Sequence, residues 1–195
     1  QNHADRVSEL ILRGIFTLRQ SELDWYYRGG ATALFPDEWE KFAAPIDPAK
    51  RGAMIKAYYV ELTSEDAERR RRAARAWSVW EGSTINLLQR PEQIRHFGKE
   101  DFAEAFARIE CHYFVNEGFF DYDGWLLDQV DRIRHLPATI IQGRYDVCTP
   151  MTTAWDLHRA FPEADFYIVA DAGHDFDETG IADRMVRNTD KYATV

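Results

Sequence analysis

The sequence predicts an α/β fold, in which a parallel sheet with crossover helices carries a large inserted helical domain. Apolar runs at 138–141 and 166–169 are each followed by a helix-like segment, which is the strand–helix alternation of parallel sheets. Residues 20–131 instead show an aromatic-rich, highly charged helical pattern. We therefore expect a sheet-bearing segment at 1–19, a helical domain at 20–131 and a second sheet-bearing segment at 132–195.

The individual elements follow in order along the chain. The apolar stretch at 8–16 predicts a buried strand. Within the helical domain the clearest helix lies in TSEDAERRRRAARAWSVWEG, where Thr63 and Asp66 form a start that resembles a capping box and Gly82 is a stop signal. The C-terminal part then indicates strand, helix, strand and a closing helix, the last in ETGIADRMVRNTDKYATV.

Composition excludes several classes of function. A chain of 195 residues with 45% hydrophobic residues is long enough for one domain with a large insertion. A net charge of −9 argues against nonspecific nucleic-acid binding, and no apolar run approaches the length of a membrane span, so we expect neither partner. No metal-ligand motif is present, and we expect no metal and no other cofactor. The two cysteines predict free thiols, and with no signal peptide at the start they indicate a cytoplasmic protein.

The strongest chemical signal is an aspartate and a histidine at two predicted strand ends. Asp146 lies in GRYDVCTP after the first C-terminal strand, and His174 lies in ADAGHDFDE after the second. Active sites of open parallel sheets lie beyond the carboxyl ends of the strands, and a catalytic triad needs a carboxylate that orients a histidine base. The chain order Ser, Asp, His is that of α/β-hydrolases. The alternative for Asp146 is structural, because aspartate also caps turns and helix starts.

A nucleophile for such a triad cannot be found in the sequence. None of the five serines lies in the pattern G-x-S-x-G. Ser83 in EGST comes nearest but follows no predicted strand, and Cys148 is too close to Asp146 to act independently. In chain order the nucleophile should precede Asp146. We therefore expect these residues to be the C-terminal part of a larger hydrolase, whose nucleophile lies upstream of Gln1.

Five stretches carry a specific resemblance: LILRGIF, RAWSVWEG, ARIECHYF, IRHLPATIIQGRYDVCTP and AWDLHRAFPEADFYIVADAGHDFDE. Together they resemble the proline iminopeptidases (prolyl aminopeptidases), serine exopeptidases of the α/β-hydrolase fold, over essentially the whole chain. The resemblance implies a helical cap at 20–131, triad roles for Asp146 and His174, and a peptide substrate with N-terminal proline. It also implies that the first strands, the oxyanion-hole loop and the nucleophile belong to a missing N-terminal segment of the same hydrolase.

Two glutamates of the helical domain are candidates for binding the substrate amine. A charged amine that leaves water needs paired acceptors. Glu81 ends a predicted helix, where its charge opposes the helix dipole, and Glu110 lies on the apolar stripe of its helix. Either could instead form a structural ion pair with a nearby Arg or Lys. By resemblance, both match the glutamates with which proline iminopeptidases bind the substrate amine.

The same resemblance implies three pocket residues, Arg13 and Phe16 in LRGIF and Tyr26 in DWYY. Core packing is the alternative for Phe16 and Tyr26, and a structural ion pair is the alternative for Arg13. Another capped hydrolase, such as an amidase, esterase or epoxide hydrolase, would act on an uncharged substrate and would not need the two glutamates. A noncatalytic binding module is a third alternative, although half a sheet would leave an unpaired edge that invites aggregation.

Overall fold

The computed structural model describes residues 1–193, which form two compact units. The sheet unit comprises Gln1–Thr17 and the described residues from Gly124 onward, and the helical unit comprises Leu18–Asp123. Residues 124–131, which the sequence pattern assigned to the helical domain, therefore group with the sheet unit. The reason is packing, because Val130 belongs to the same buried core as the sheet residue Ile140.

The sheet has three parallel strands in the order β1-β2-β3, which confirms the predicted α/β class. Their bounds are Leu10–Arg13 (β1), Ala138–Gly143 (β2) and Asp165–Val169 (β3). All three strands run in one direction, so their carboxyl ends meet at one edge. Every residue of β2 is buried, because β2 is hydrogen-bonded on both sides.

The first strand differs from its prediction. The pattern at 8–16 predicted a buried strand, whereas β1 covers four residues that are only half-buried. β1 has a strand partner on one side only, which explains its exposure. The strand ends before Gly14, whose φ of 52° lies outside the extended region.

The helical unit contains seven α-helices packed around an aromatic core. Helix α5 packs against α3, α4, α6 and α7. At the centre, the rings of Tyr27 and Trp77 stack at 4.9 Å, and those of Phe42 and Tyr58 stack at 4.6 Å. The helices are Gln20–Tyr27 (α1), Gly30–Leu34 (α2), Pro36–Ala43 (α3), Met54–Leu62 (α4), Ala67–Thr84 (α5), Pro91–Phe97 (α6) and Glu100–Val115 (α7).

Both predicted ends of helix α5 are wrong by a few residues. Its N-cap is Asp66, whose carboxylate accepts hydrogen bonds from the main-chain N–H groups of Glu68 and Arg69 at 2.9 and 3.2 Å. Thr63 instead follows α4 as its C-cap residue. Gly82 does not stop the helix, because it is buried where α6 packs closely against α5.

Three further helices complete the sheet unit: Trp125–Asp128 (α8), Met151–Ala160 (α9) and Thr179–Ala193 (α10). Alternate residues of β2 point to opposite faces. Ile140 joins the core that contains α9, whereas Ile141 joins Ile181 of α10 in a second core. The last two residues of the predicted closing helix lie outside the described residues. Within the described part of the chain, no helix has the length and hydropathy needed to span a bilayer.

Candidate active site

Asp146 lies in the turn that follows β2, at the edge where the strands end. Asp146 is only 4% exposed. Its carboxylate accepts several hydrogen bonds. Oδ1 accepts from the main-chain N–H of Thr149 at 2.8 Å, and Oδ2 accepts from the Thr149 hydroxyl at 2.9 Å and from Nε2 of Gln142 at 3.0 Å. All three donors are neutral. These hydrogen bonds orient the carboxylate, and none of them brings a positive charge next to it.

His174 lies in the turn that follows β3, and its ring meets this carboxylate. Nδ1 of His174 is 2.9 Å from Oδ2 of Asp146 and 3.1 Å from the hydroxyl oxygen of Thr149. An ionised carboxylate only accepts hydrogen bonds, so we assign the proton to Nδ1 from these partners. Nε2 then carries the lone pair. This is the tautomer that a general base requires.

Main-chain contacts hold the two turns together. The N–H of Arg144 donates to the carbonyl of Val169 at 2.8 Å, and the N–H of Tyr145 donates to the carbonyl of Ala172 at 3.0 Å. A Cβ atom at Gly143 would lie 2.0 Å from the carbonyl oxygen of Gly173, so only glycine fits there. The end of β2 thereby approaches the turn before His174 closely.

The end of β1 supports the histidine from a third direction. A guanidinium N–H of Arg13 donates to the main-chain oxygen of His174. A Cβ atom at Gly14 would lie 2.7 Å from Cε1 of His174, so the glycine makes room for the imidazole ring. Phe16 follows two residues later and is half-buried. The sheet unit thus brings Arg13, Asp146 and His174 together.

The other predicted site residues belong to the helical unit. Glu110 on α7 accepts a hydrogen bond at its Oε2 from Nε1 of Trp77 on α5, at 2.6 Å. Glu81 lies in the last turn of α5, one helical turn after Trp77, and both glutamates are half-buried. Tyr26 on α1 is 5% exposed, and its hydroxyl lies 2.5 Å from that of Thr84. The structure therefore places two carboxylates and a phenol along two packed helices and α1.

The neighbours of Asp146 were missed by the sequence reasoning. Gln142 is a polar residue between Ile141 and Gly143 in an otherwise apolar strand, four positions before Asp146, and this was the only local signal for it. Thr149, three residues after Asp146, follows the spacing of a side chain that closes a turn, which is common outside active sites. Among the described residues, no group of three or more potential ligands could hold a metal ion.

The two cysteines give no alternative nucleophile. Burial, and to a lesser degree the charge of Glu110, raises the pKa of Cys111 to about 12, so its thiol is protonated at neutral pH. Its Sγ contacts the carbonyl oxygen of Ile55 at 3.5 Å. Cys148 is also buried, and neither cysteine forms a disulfide.

Comparisons with known proteins identify the fold family of the chain and its relatives. Residues 1–180 match a family model described as alpha/beta hydrolase fold. A "Probable proline iminopeptidase" of Leptolyngbya boryana is 54% identical over 192 residues, which cover 98% of this chain and 60% of that protein. A "Proline iminopeptidase" of Arabidopsis thaliana is 52% identical over 192 residues, which cover 98% of this chain and 50% of that protein. The resemblance to proline iminopeptidases is confirmed, and the chain spans 50% to 60% of the length of these two relatives.

Similarity over most of the chain extends to a solved structure. A thermophilic esterase from Thermogutta terrifontis, solved with malate bound, covers 98% of this chain and 57% of its own, with a TM-score of 0.46 and 16% identity. This likeness is too weak to support an argument about function.

Proposed function

Since this chain belongs to the alpha/beta hydrolase fold family, we propose that it is part of a serine-type proline iminopeptidase, which releases N-terminal proline from peptides. The observation that carries the proposal is the 2.9 Å hydrogen bond between Asp146 Oδ2 and His174 Nδ1. It is the arrangement expected of the acid and the base of a catalytic triad. The names of the two relatives support the substrate class.

In the proposed reaction, Nε2 of His174 acts first as a base and then as an acid. It takes the hydroxyl proton of a serine while the serine oxygen bonds to the prolyl carbonyl carbon. The imidazolium gives this proton to the departing peptide nitrogen as the C–N bond breaks, which leaves a prolyl ester. Water cleaves the ester by the same route and releases proline. Asp146 stabilises the imidazolium and keeps Nδ1 protonated throughout.

The proposed serine belongs to the full-length protein outside this sequence. The two serines of helix α5 do not fit the role. Ser83, the nearest match to the motif, is buried within α5 of the helical unit, and Ser78 on the same helix donates its hydroxyl to the carbonyl of Phe97 at 2.7 Å. We also place the donors that stabilise the tetrahedral oxyanion in the part of the protein outside this sequence.

The proposed ligands of the substrate ammonium are Glu81 and Glu110. They lie on α5 and α7, which pack against each other. The hydrogen bond from Trp77 orients the Glu110 carboxylate and occupies one of its acceptor sites. A carboxylate has about four such sites. Two carboxylates suit a secondary ammonium, which has two N–H groups to donate.

The remaining pocket assignments are also proposals. We place Phe16 and Tyr26 among the residues of the substrate pocket, as the resemblance implies. Arg13 has a supporting role that the resemblance did not imply, because it donates to the main chain of His174. A guanidinium has five N–H donors, so this contact is compatible with a second one to substrate.

We place the protein in the cytoplasm, because both cysteines are free and buried, as is usual in a reducing compartment. The partner proposed for the active site is a peptide with N-terminal proline.

The test is an assay of the full-length protein on three amides of one fluorescent amine. We expect hydrolysis of the proline amide, little hydrolysis of the alanine amide, and still less of the N-acetylproline amide. His174→Gln should abolish turnover, whereas His158→Gln, a change of another histidine in the sheet unit, should leave it nearly intact. Equal hydrolysis of the acetylated and free amides would instead favour another type of hydrolase.

A further inference from the structure

We propose that Gln142 is a positioning residue for catalysis, because its side-chain amide orients the Asp146 carboxylate toward His174. This inference rests on the proposed function, in which Asp146 and His174 are the acid and the base. Gln142 does not touch substrate or any reacting atom in this proposal. It acts through Asp146 alone.

Both the nitrogen and the oxygen of the Gln142 side-chain amide form hydrogen bonds. Residue 142 is the penultimate residue of β2 and is fully buried, at 0% exposed. Nε2 donates to Oδ2 of Asp146 at 3.0 Å and to the carbonyl oxygen of Thr149 at 2.7 Å. Oε1 accepts from the main-chain N–H of Ile15 at 3.1 Å. The N–H of Ile15 can only donate, so the amide has one orientation that satisfies all three bonds.

The oxygen that Gln142 holds is the one that meets the histidine. Oδ2 of Asp146 accepts from Gln142, from the Thr149 hydroxyl and from Nδ1 of His174. The carboxylate torsion of an aspartate is soft, with broad and roughly two-fold preferences, so neighbours must fix it. Without Gln142, Oδ2 would keep only the Thr149 hydroxyl beside Nδ1 of His174 among these three donors.

Gln142 also joins the acid to the segment that supports the base. Ile15, its partner through Oε1, directly follows Gly14, which lies under the ring of His174, and Arg13, which binds the main chain of His174. A displacement of either turn is therefore resisted by the same three residues at the end of β1. The distance between the two catalytic groups depends on this shared support.

The neutrality of the amide matters for the chemistry. A cationic side chain at this position would also orient the carboxylate, but it would offset the negative charge that stabilises the imidazolium. An apolar side chain would be sufficient for the strand, as it is at Ile140 and Ile141. A buried amide destabilises a strand unless it is fully hydrogen-bonded. A glutamine is uncharged, and at this position its amide is fully hydrogen-bonded.

The test compares Gln142→Met with Asn188→Leu in the full-length protein. Both changes replace a buried, hydrogen-bonded amide of the sheet unit by an apolar side chain of similar size, but the side chain of Asn188 bonds to Thr139 and to Arg184, not to Asp146. For Gln142→Met we expect kcat on proline amide to fall about 10- to 100-fold with KM unchanged, as misplaced catalytic groups cause. For Asn188→Leu we expect less than a threefold change in either constant.

A spectroscopic measurement checks the same inference without turnover. The Nδ1 proton of His174 should give a far-downfield NMR resonance, identified by its loss in His174→Gln. We expect Gln142→Met to shift or broaden this resonance and Asn188→Leu to leave it in place. If Gln142→Met does not fold, Gln142→Asn, which keeps a buried amide but is one methylene shorter and so withdraws the donor from Asp146, takes its place in both measurements.

An unchanged resonance together with a loss of kcat no larger than in Asn188→Leu would overturn the inference, because Gln142 would then be structural only. Failure of the proposed function has a different signature. In that case the wild-type protein does not prefer the proline amide, while the resonance still reports whether Gln142 orients the pair.

Discussion

The indole N–H of Trp77 donates to Oε2 of Glu110 at 2.6 Å, which links helices α5 and α7 within the helical unit. The bond fixes a half-buried carboxylate in one orientation. Such an orientation is useful for recognising a cation, and an amide oxygen could accept the same bond. The charge of Glu110 and its structural contact can therefore be separated by one substitution.

The first prediction concerns the charges of the two glutamates. Glu110→Gln and Glu81→Gln should each lower kcat/KM on proline amide by about 10- to 150-fold, since a charge-assisted hydrogen bond in a desolvated site contributes about 1.5–3 kcal/mol. The loss should shrink on a substrate whose amine is acetylated. Glu104→Gln is the matched control, because Glu104 lies on α7 but pairs with Arg70. Unfolding of both variants, with wild-type specificity in any folded remainder, would identify the glutamates as structural.

The second prediction concerns Asp146→Asn. The asparagine NH₂ group would face donors from Gln142 and Thr149, and it would favour the wrong tautomer of His174. We expect kcat to fall by about 10³- to 10⁴-fold. We also expect the free energy of unfolding in urea to fall by about 1–3 kcal/mol, as unsatisfied buried donors cause. Asp156→Asn on α9 is the control, and an Asp146→Asn enzyme with near wild-type kcat would exclude the triad.

The third prediction concerns Gly14→Ala. The added Cβ would lie 2.7 Å from Cε1 of His174 at a residue whose φ is 52°. Backbone strain at such a position contributes about 1–3 kcal/mol, so we expect thermal unfolding at a lower temperature. Because the clash also displaces the imidazole, kcat should fall more than KM rises. Gly124→Ala also has a positive φ but no atom within 4 Å of its added Cβ, so it should reproduce the strain without the loss of kcat.

The fourth prediction is a pH dependence of stability from Cys111. Burial raises the pKa of its thiol from 9.0 to about 12, so the folded state holds the proton more tightly than the unfolded chain does. This contribution to stability is complete below about pH 9 and is lost toward pH 12, at up to about 1.4 kcal/mol per pH unit. The stability advantage of wild type over Cys111→Ala should therefore shrink above pH 9 in urea unfolding experiments. A constant difference across that range would contradict the prediction.

Parts of the candidate site could be anticipated because they depend on local sequence. Asp146 and His174 each lie five residues after the end of an apolar run, and the end of a parallel strand is where this fold class positions functional side chains. Gln142 could not be anticipated, because its role depends on the N–H of Ile15, which reaches it only when β1 pairs with β2. Nothing in the sequence near residue 142 specifies that pairing.

Element boundaries were less predictable than element types. The stretch at 8–16 has a strand-like composition, but the number of strands beside it decides how much of it is buried. Gly82 has the intrinsic preference of a helix end, yet the packing of α6 against it keeps it within α5. In both cases tertiary contacts override local propensity, which acts only within a few residues.

The position of the helical unit along the chain has a consequence for folding kinetics. All of Leu18–Asp123 lies between β1 and its partner β2, so the pairing that brings Gly14 beneath His174 closes a very long loop. Such non-local pairings slow folding, although each doubling of loop length adds only about 0.6 kcal/mol to the closure entropy. Early folding of the helical unit would shorten the effective loop. The turns that carry Asp146 and His174 would then acquire their geometry last, and mutations of the aromatic core would delay their formation.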